Sequence, residues 1–415
     1  MSWVQIANSC VCDIRMRAIL AVTFALVTLL ACSPSCFAQD AAAIENAAIK
    51  DAAQSIVAGN LKRAESDLES VLRTNPREYR ALNLLGMIRA QQNRDVDAEK
   101  IFKKVIQLRP GFGGAHVNLG LLYLQTSRLD DAIAQFQEAL RLEPGRDDAR
   151  GALVNTLRAQ ARSAADSGEL EKALSFLIEA RKASPNDPNV LYDFGMVALR
   201  MSLFADSAQA FRETLAKRPD DAKSLYGLGR AEISLAKYQD AADTFSRYVQ
   251  LYPQDASGHY ALGVALASLE KTSDASPEFR RSIEIQPDQT ESYLQLGRIC
   301  LDESDFDCAA ADFDRVLSRD PRHAEALTGM GRVEFKRKNY AKAVELLQRS
   351  IAADTSERQA HYYLGLAYAR LGRDEDSKKE LQTASELERT EVERHRAPLK
   401  LMDSTQNTNE VKYVP

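Results

Sequence analysis

The chain has 415 residues, 54 of them basic and 59 acidic, for a formal net charge of −5. Nucleic-acid binding needs a concentrated basic face to displace counterions from phosphate, so this mild acidity argues against it. An apolar share of 45% excludes global disorder, and six cysteines, four of them within the first 36 residues, exclude a zinc ribbon or a disulfide scaffold.

In chain order, the first feature is Ile19 to Ala31, 13 residues without a charge, preceded by Arg15 and Arg17 and followed by small residues. A positive head, a short apolar core and a small-residue exit describe a secretory signal. The run is shorter than the roughly 20 apolar residues a spanning helix requires. Met16 is an alternative start to Met1. Two cleavage readings stay open. Cys36-Phe37-Ala38 before Gln39 suits the general signal peptidase, making 1–38 a signal peptide and 39–44 a short linker. Leu29-Leu30-Ala31-Cys32 resembles the bacterial lipobox, after which Cys32 would carry lipid. Both readings export the protein: to the periplasm or medium in the first case, to the outer membrane as a lipoprotein in the second.

Beyond the signal, prolines mark a period. Pro76, Pro110 and Pro144 are 34 residues apart, and Pro185, Pro219, Pro253, Pro287 and Pro321 repeat the interval. Twelve residues before each stands a small residue, such as Ala98, Ala132, Ser207 or Ala241. Eight before stands Phe or Leu, as in Leu68, Phe102, Phe136 and Phe211. Twenty-four before stands glycine in six of the eight, from Gly86 and Gly120 to Gly297. Glycine inside a helix costs about 1 kcal/mol relative to alanine, so its return at one register requires compensation. Close helix–helix approach supplies it, with small Ala or Ser facing the gap and Phe or Leu filling the neighbouring hole. Each proline falls where one helix has ended and the next begins. Two later units lack the proline but keep the register through Gly331, Ala343 and Leu347, then Gly365, Ser377 and Leu381.

A period of 34 with these columns resembles the tetratricopeptide repeat family. The resemblance covers residues 45–391 as ten helix–turn–helix repeats. It implies an all-α fold, an α-solenoid wound as a right-handed superhelix. Pro144 to Pro185 spans 41 residues. The extra seven, about two helical turns, predict a longer first helix from Asp147 to Ser167 in the repeat at 147–186, a joint between two halves. Pro277 predicts a delayed helix start at Asp274 or Ser276. Residues 392–415 are expected to be a helical cap end, then a disordered tail from Pro398.

In this family the first helix of each repeat lines a concave wall that commonly binds extended peptides or partner segments. Positions 27 and 23 before each repeat end are expected to face it: Tyr192, Tyr226, Arg230, Tyr260, Arg298, Arg332 and Tyr362, with Asn83, Met87, Val117 and Leu121 in the N-terminal half. Tyrosine offers a rigid amphipathic face, and arginine binds carboxylates in a planar fork. The alternative is that the tyrosines pack on adjacent repeats and the arginines pair locally. Ile49, Ala53, Asn83, Met87, Val117 and Leu121 are not the Lys, Arg and Asn of the family's carboxylate clamp, so chaperone tails are not the expected ligand.

No phosphate loop, His-Glu-x-x-His or Gly-x-Ser-x-Gly motif occurs. His116, His259 and His361 lie in different repeats and read as packing residues. Cys300 and Cys308 stand on antiparallel helices at similar height, either as a disulfide or as two free thiols. The expectation is a non-catalytic protein–protein interaction scaffold without cofactor or metal. It would bind a protein or peptide segment, contact no nucleic acid, and touch a membrane only through a lipidated Cys32. A lipidated structural component of a secretion, pilus or polysaccharide-export assembly is the alternative.

Overall fold

The computed structural model describes the backbone of residues 34–405 and the side chains of residues 43–390. Cys32 and most of the signal segment lie outside the described residues. Within them every regular element is an α-helix, and the helices pair into ten hairpins.

Among the described residues the first compact unit runs to Val190. Its hairpins are α1–α2 (Pro34–Val57, Leu61–Thr74), α3–α4 (Tyr79–Gln91, Asp95–Leu108), α5–α6 (Gly113–Gln125, Leu129–Leu142) and α7–α8 (Asp147–Asp166, Leu170–Ala183). The second unit begins at Leu191 and takes in the rest of the described residues. It begins inside α9 (Pro188–Arg200), which pairs with α10 (Phe204–Lys217). There follow α11–α12 (Ala222–Ser234, Tyr238–Leu251), α13–α14 (Ala256–Ser268, Thr272–Ile285) and α15–α16 (Thr290–Asp302, Phe306–Leu317). The last hairpins are α17–α18 (Ala324–Lys336, Tyr340–Ala353) and α19–α20 (Arg358–Arg370, Asp374–Thr405).

The glycine register does what its helix penalty demands. A Cβ added at Gly86, Gly120 or Gly263 would meet the ring of Phe102, Phe136 or Phe279 at 2.6, 2.6 or 2.7 Å. Phenylalanine therefore rests directly on the bare backbone of its hairpin partner, and these three rings are at most 1% exposed. Full burial of one such side chain contributes about 1.5–3 kcal/mol, enough to offset the glycine. The small column lies at the same seam: Ser207 donates its hydroxyl to the Gly195 carbonyl at 2.8 Å. Phe211 also touches the next hairpin, since a Cβ at Gly227 would come within 2.5 Å of it. One ring thus joins two consecutive repeats.

Each hairpin turn closes the same way. Gly59, Asn93, Ser127, Gly168, Ser202, Ala236, Glu270, Ser304, Lys338 and Gly372 have φ between 55° and 82°. The next N–H returns to a carbonyl five residues back, as in Arg94 to Arg89 at 2.8 Å and Lys237 to Glu232 at 2.9 Å. This satisfies the orphan carbonyls at the end of the first helix. Only three of the ten are glycine.

Four expectations meet the structure here. The inserted turns do lengthen α7 to 20 residues, against 13 for α3, α5 and α9. The two units divide between Val190 and Leu191, just after the hairpin that this long helix opens. Helix α14 begins at Thr272 with Pro277 inside it, so the delayed start is corrected. The surrounding N–H groups still reach Lys271, from Asp274 at 3.1 Å and Ala275 at 3.0 Å; proline forfeits a single ladder bond. Both ends are more helical than expected. Residues 39–44 belong to α1, an Ala-rich stretch with no breaker, and α20 continues past Pro398 to Thr405 through the helix formers Leu399 to Met402. Among the described residues no helix is long and apolar enough to cross a membrane.

Candidate functional site

In the second unit the first helices of successive hairpins border a cleft of about 350 Å³. Its walls are Tyr192 and Met196 on α9, Tyr226 on α11 and Tyr248 on α12. Lys223 and Arg230 stand at its edge, on the same face of α11 as Tyr226. Tyr192, Tyr226 and Arg230 are thus brought together as the register implied; Met196, Lys223 and Tyr248 were not anticipated.

The aromatic wall is tightly held. The Tyr226 ring meets Phe245 and Tyr248 edge-on, both with centroids 5.6 Å apart, and Tyr192 lies 6.0 Å from Phe211. Tyr248 donates its hydroxyl to Asp255 Oδ2 at 2.5 Å. The other oxygen of Asp255 accepts the Ser257 and Gly258 N–H groups at 2.8 and 3.3 Å, capping α13. Burial pushes the phenols of Tyr192 and Tyr226 above their ordinary range. Burial and then the Asp255 hydrogen bond do so more strongly for Tyr248. All three remain neutral amphipathic surfaces at physiological pH.

The carboxylate of Asp255 is therefore engaged by its own element. The side chains of Lys223 and Arg230, both exposed, make no hydrogen bond or ion pair with any described residue. An apolar floor with two uncommitted cations at its edge can seat an apolar group and attract negative charge around it.

The other expected contacts divide differently. Tyr260 is half-buried against Phe279, with centroids 5.9 Å apart. Arg298 pairs with Glu325 at 2.7 Å. Arg332 pairs with Asp302 at 3.6 Å, donates to Gln359 at 3.3 Å and lies 5.1 Å from the Tyr363 ring. These two arginines tie neighbouring hairpins together, across a polar crevice of only about 60 Å³. Tyr362 is exposed, and its ring packs edge-on against Tyr363 at 5.3 Å. In the first unit Asn83 is buried and accepts from Asn118 at 3.0 Å, while Val117 is buried and Leu121 is exposed.

The histidines are braces. His259 binds Glu278 at 2.6 Å and the Pro253 carbonyl at 3.2 Å. His361 repeats this with Glu380 and the Thr355 carbonyl, and His116 meets Gln135 at 2.9 Å. Cys300 and Cys308 are joined as a disulfide, with Cα atoms 5.8 Å apart. With Asp312 they form the one grouping among the described residues whose donor atoms lie close enough to share a metal ion. Sulfurs bonded to each other offer no thiolate to a metal.

Tyr248 was hidden because it lies on a second helix. It nevertheless breaks a column. The residue five before each proline is usually small, as in Val105, Ala139, Thr214 and Ser282. Ten residues on it meets another small one, Ala115, Ala149, Ser224 or Ser292. Only Tyr248 pairs a large ring with a glycine, Gly258, where a Cβ would come 2.5 Å from Tyr248 Cε1.

Paired helices in register, wedged pair against pair within each unit, define an α-solenoid repeat protein. Models described as tetratricopeptide repeat match residues 56–111, 192–256, 235–290, 294–358 and 340–384, and a second such model matches 96–153 and 123–192. The chain belongs to the tetratricopeptide repeat family, whose members are generally protein–protein interaction scaffolds and typically non-catalytic. No curated protein sequence matches it. Among solved structures it is similar to MamA 41-end from Desulfovibrio magneticus RS-1, at 20% identity and a TM-score of 0.37, over 41% of this chain and 96% of that one. It is also similar to YrrB, described as a TPR protein with an unusual peptide-binding site, at 24% identity and a TM-score of 0.38, over 44% and 95%. The Cut9-Hcn1 hetero-tetramer of APC/C matches at 12% identity and a TM-score of 0.43, over 86% and 89%.

Proposed function

We propose that the protein is a non-catalytic scaffold of the cell envelope that holds an extended segment of a partner protein against α9, α11 and α13. The observation that carries this reading is the cleft, where Tyr192, Tyr226 and Tyr248 form an apolar lining and the Arg230 side chain has no partner among the described residues. Large, rigid aromatic faces and arginine are the groups that dominate interface energetics. Location in the envelope rests on the uncharged run Ile19 to Ala31 behind Arg15 and Arg17.

A photo-crosslinking amino acid placed at Tyr226 or Tyr260 should capture the same partner in the native host, while one at the exposed Gln209 of α10 should not. Equal capture from all three positions would contradict groove binding. The sequence Leu29-Leu30-Ala31-Cys32 favours a second reading, a lipid-anchored component of an export assembly. Mass spectrometry of the mature N-terminus separates the two: lipid on Cys32 supports the anchored form, and a free Gln39 the soluble one.

A further inference from the structure

We infer that the α9–α11–α12 cleft selects an extended peptide in which an aromatic or large aliphatic side chain is flanked, two residues away on each side, by carboxylates. The inference rests on the groove-binding reading above and names the chemistry of its ligand.

Three observations fix that chemistry. The first is the floor: Tyr192, Met196, Tyr226 and Tyr248 present ring faces and a thioether, with their hydroxyls neutral and that of Tyr248 already donated to Asp255. Such a surface takes an apolar group, and about 350 Å³ is room for one aromatic side chain with part of its backbone. The second is charge. Among the described residues that line the cleft Asp255 is the one carboxylate and its oxygens are committed, whereas the side chains of Lys223 and Arg230 form no ion pair with any described residue. Arg298 and Arg332, by contrast, are neutralised by Glu325 and Asp302. Charge complementarity is therefore missing at this cleft and present farther along the same unit.

The third is spacing. Lys223, Tyr226 and Arg230 follow at intervals of three and four residues, so they form one stripe on α11. The seven residues from Lys223 to Arg230 rise about 10.5 Å at 1.5 Å each. An extended strand returns its side chains to the same face every second residue, about 6.8 Å apart. An anchor at the centre and carboxylates two residues before and after it span about 13.6 Å. The long Lys and Arg stems, splayed outward, make up the difference. Neighbouring carboxylates at i and i+1 would point to opposite faces and could not engage both cations.

Random dodecapeptides displayed on phage and selected on the full-length protein test this directly. Enriched peptides should carry Asp or Glu two residues to each side of an aromatic or large aliphatic residue. An amidated synthetic copy of the best one should bind in fluorescence polarisation. Its Lys-for-Glu counterpart should bind at least tenfold more weakly. Tyr226→Ala should weaken binding by about thirtyfold or more, as central aromatic anchors do, while Tyr226→Phe should retain it. Lys223→Ala and Arg230→Ala should each weaken it about threefold, in the range of exposed ion pairs. Raising salt should weaken the acidic peptide and leave a neutral analogue unchanged. Circular dichroism confirms that each variant is folded. Peptides that depend on Tyr226 but show no acidic preference would overturn the inference and leave the groove reading standing. Peptides indifferent to Tyr226→Ala would overturn both.

Discussion

Tyr248 fits its seam because Gly258 has no side chain. The ring occupies the room that a Cβ would need, at 2.5 Å from Cε1, while its hydroxyl is fixed by Asp255. At the equivalent seams small residues face small residues, with Val105 over Ala115 and Thr214 over Ser224. The exchange of bulk at a single seam turns a general packing joint into one wall of the recognition cleft.

Gly258→Ala should therefore destabilise the second unit by about 1–3 kcal/mol through overpacking, although alanine alone would favour the helix by about 1 kcal/mol. In a Tyr248→Val background, which recreates the seam of Val105 and Ala115, the same substitution should become neutral or stabilising. Urea unfolding of the four proteins in this cycle reads the coupling. An equal penalty in both backgrounds would mean that the ring is not what Gly258 accommodates.

The hairpin turns make a second claim. A non-glycine residue in the left-handed region costs about 1–2 kcal/mol, and Ala236 and Glu270 are exposed at φ 55° and 60°. Glycine relieves that strain but adds freedom to the unfolded chain, so each of Ala236→Gly and Glu270→Gly should gain about 0.5–1 kcal/mol. Gly168→Ala, at φ 82° with open space around it, should lose a similar amount. A rise in the urea midpoint for the first two and a fall for the third is the expected pattern.

These two cases show where the sequence was readable. Proline, glycine and phenylalanine columns recur because every hairpin must solve the same packing problem, so period alone located the helices. The left-handed conformation at the turns was not legible from residue type, since seven of ten residues there are not glycine and the hydrogen bonds that hold them involve backbone only. Within the site, Tyr192, Tyr226 and Arg230 followed from the inward register of first helices. Lys223 is one turn from Tyr226 but outside the two columns read, and Tyr248 comes from a second helix. Arg298 and Arg332 have the same register as Arg230, yet their partners Glu325 and Asp302 lie 27 and 30 residues away in sequence. Register gives direction, but charge pairing requires the neighbouring hairpin.

The Cys300–Cys308 bridge spans Cα atoms 5.8 Å apart and links α15 to α16. Closing so short a loop restricts the unfolded chain by an amount equivalent to about 2–3 kcal/mol. A chain beginning at Gln39 contains no other cysteine. Denatured without reductant, it should react with no thiol reagent, and treatment with a phosphine should lower its unfolding temperature. Two titratable thiols in protein recovered from an oxidising compartment would exclude the bridge.

Asp312, one turn beyond Cys308, supplies a pH dependence of opposite sign to that of most carboxylates. Burial pushes its carboxyl up to about 6, against the lowering influence of the Arg280 and Arg315 charges. The folded state thus holds its proton more tightly than the unfolded chain, whose value is near 3.9. Below that value both states are protonated and the residue adds no penalty. Between about 4 and 6 the stability falls as pH rises, and above 6 the ionised group sits unfavourably in its half-buried site. Asp312→Asn removes the charge at every pH. It should raise stability by about 1–2 kcal/mol at pH 8, once solvent screening is allowed for, with the gain shrinking through pH 5 and vanishing near pH 3.5. Unfolding midpoints of both proteins across that range provide the test, and a gain independent of pH would assign the effect to packing rather than ionisation.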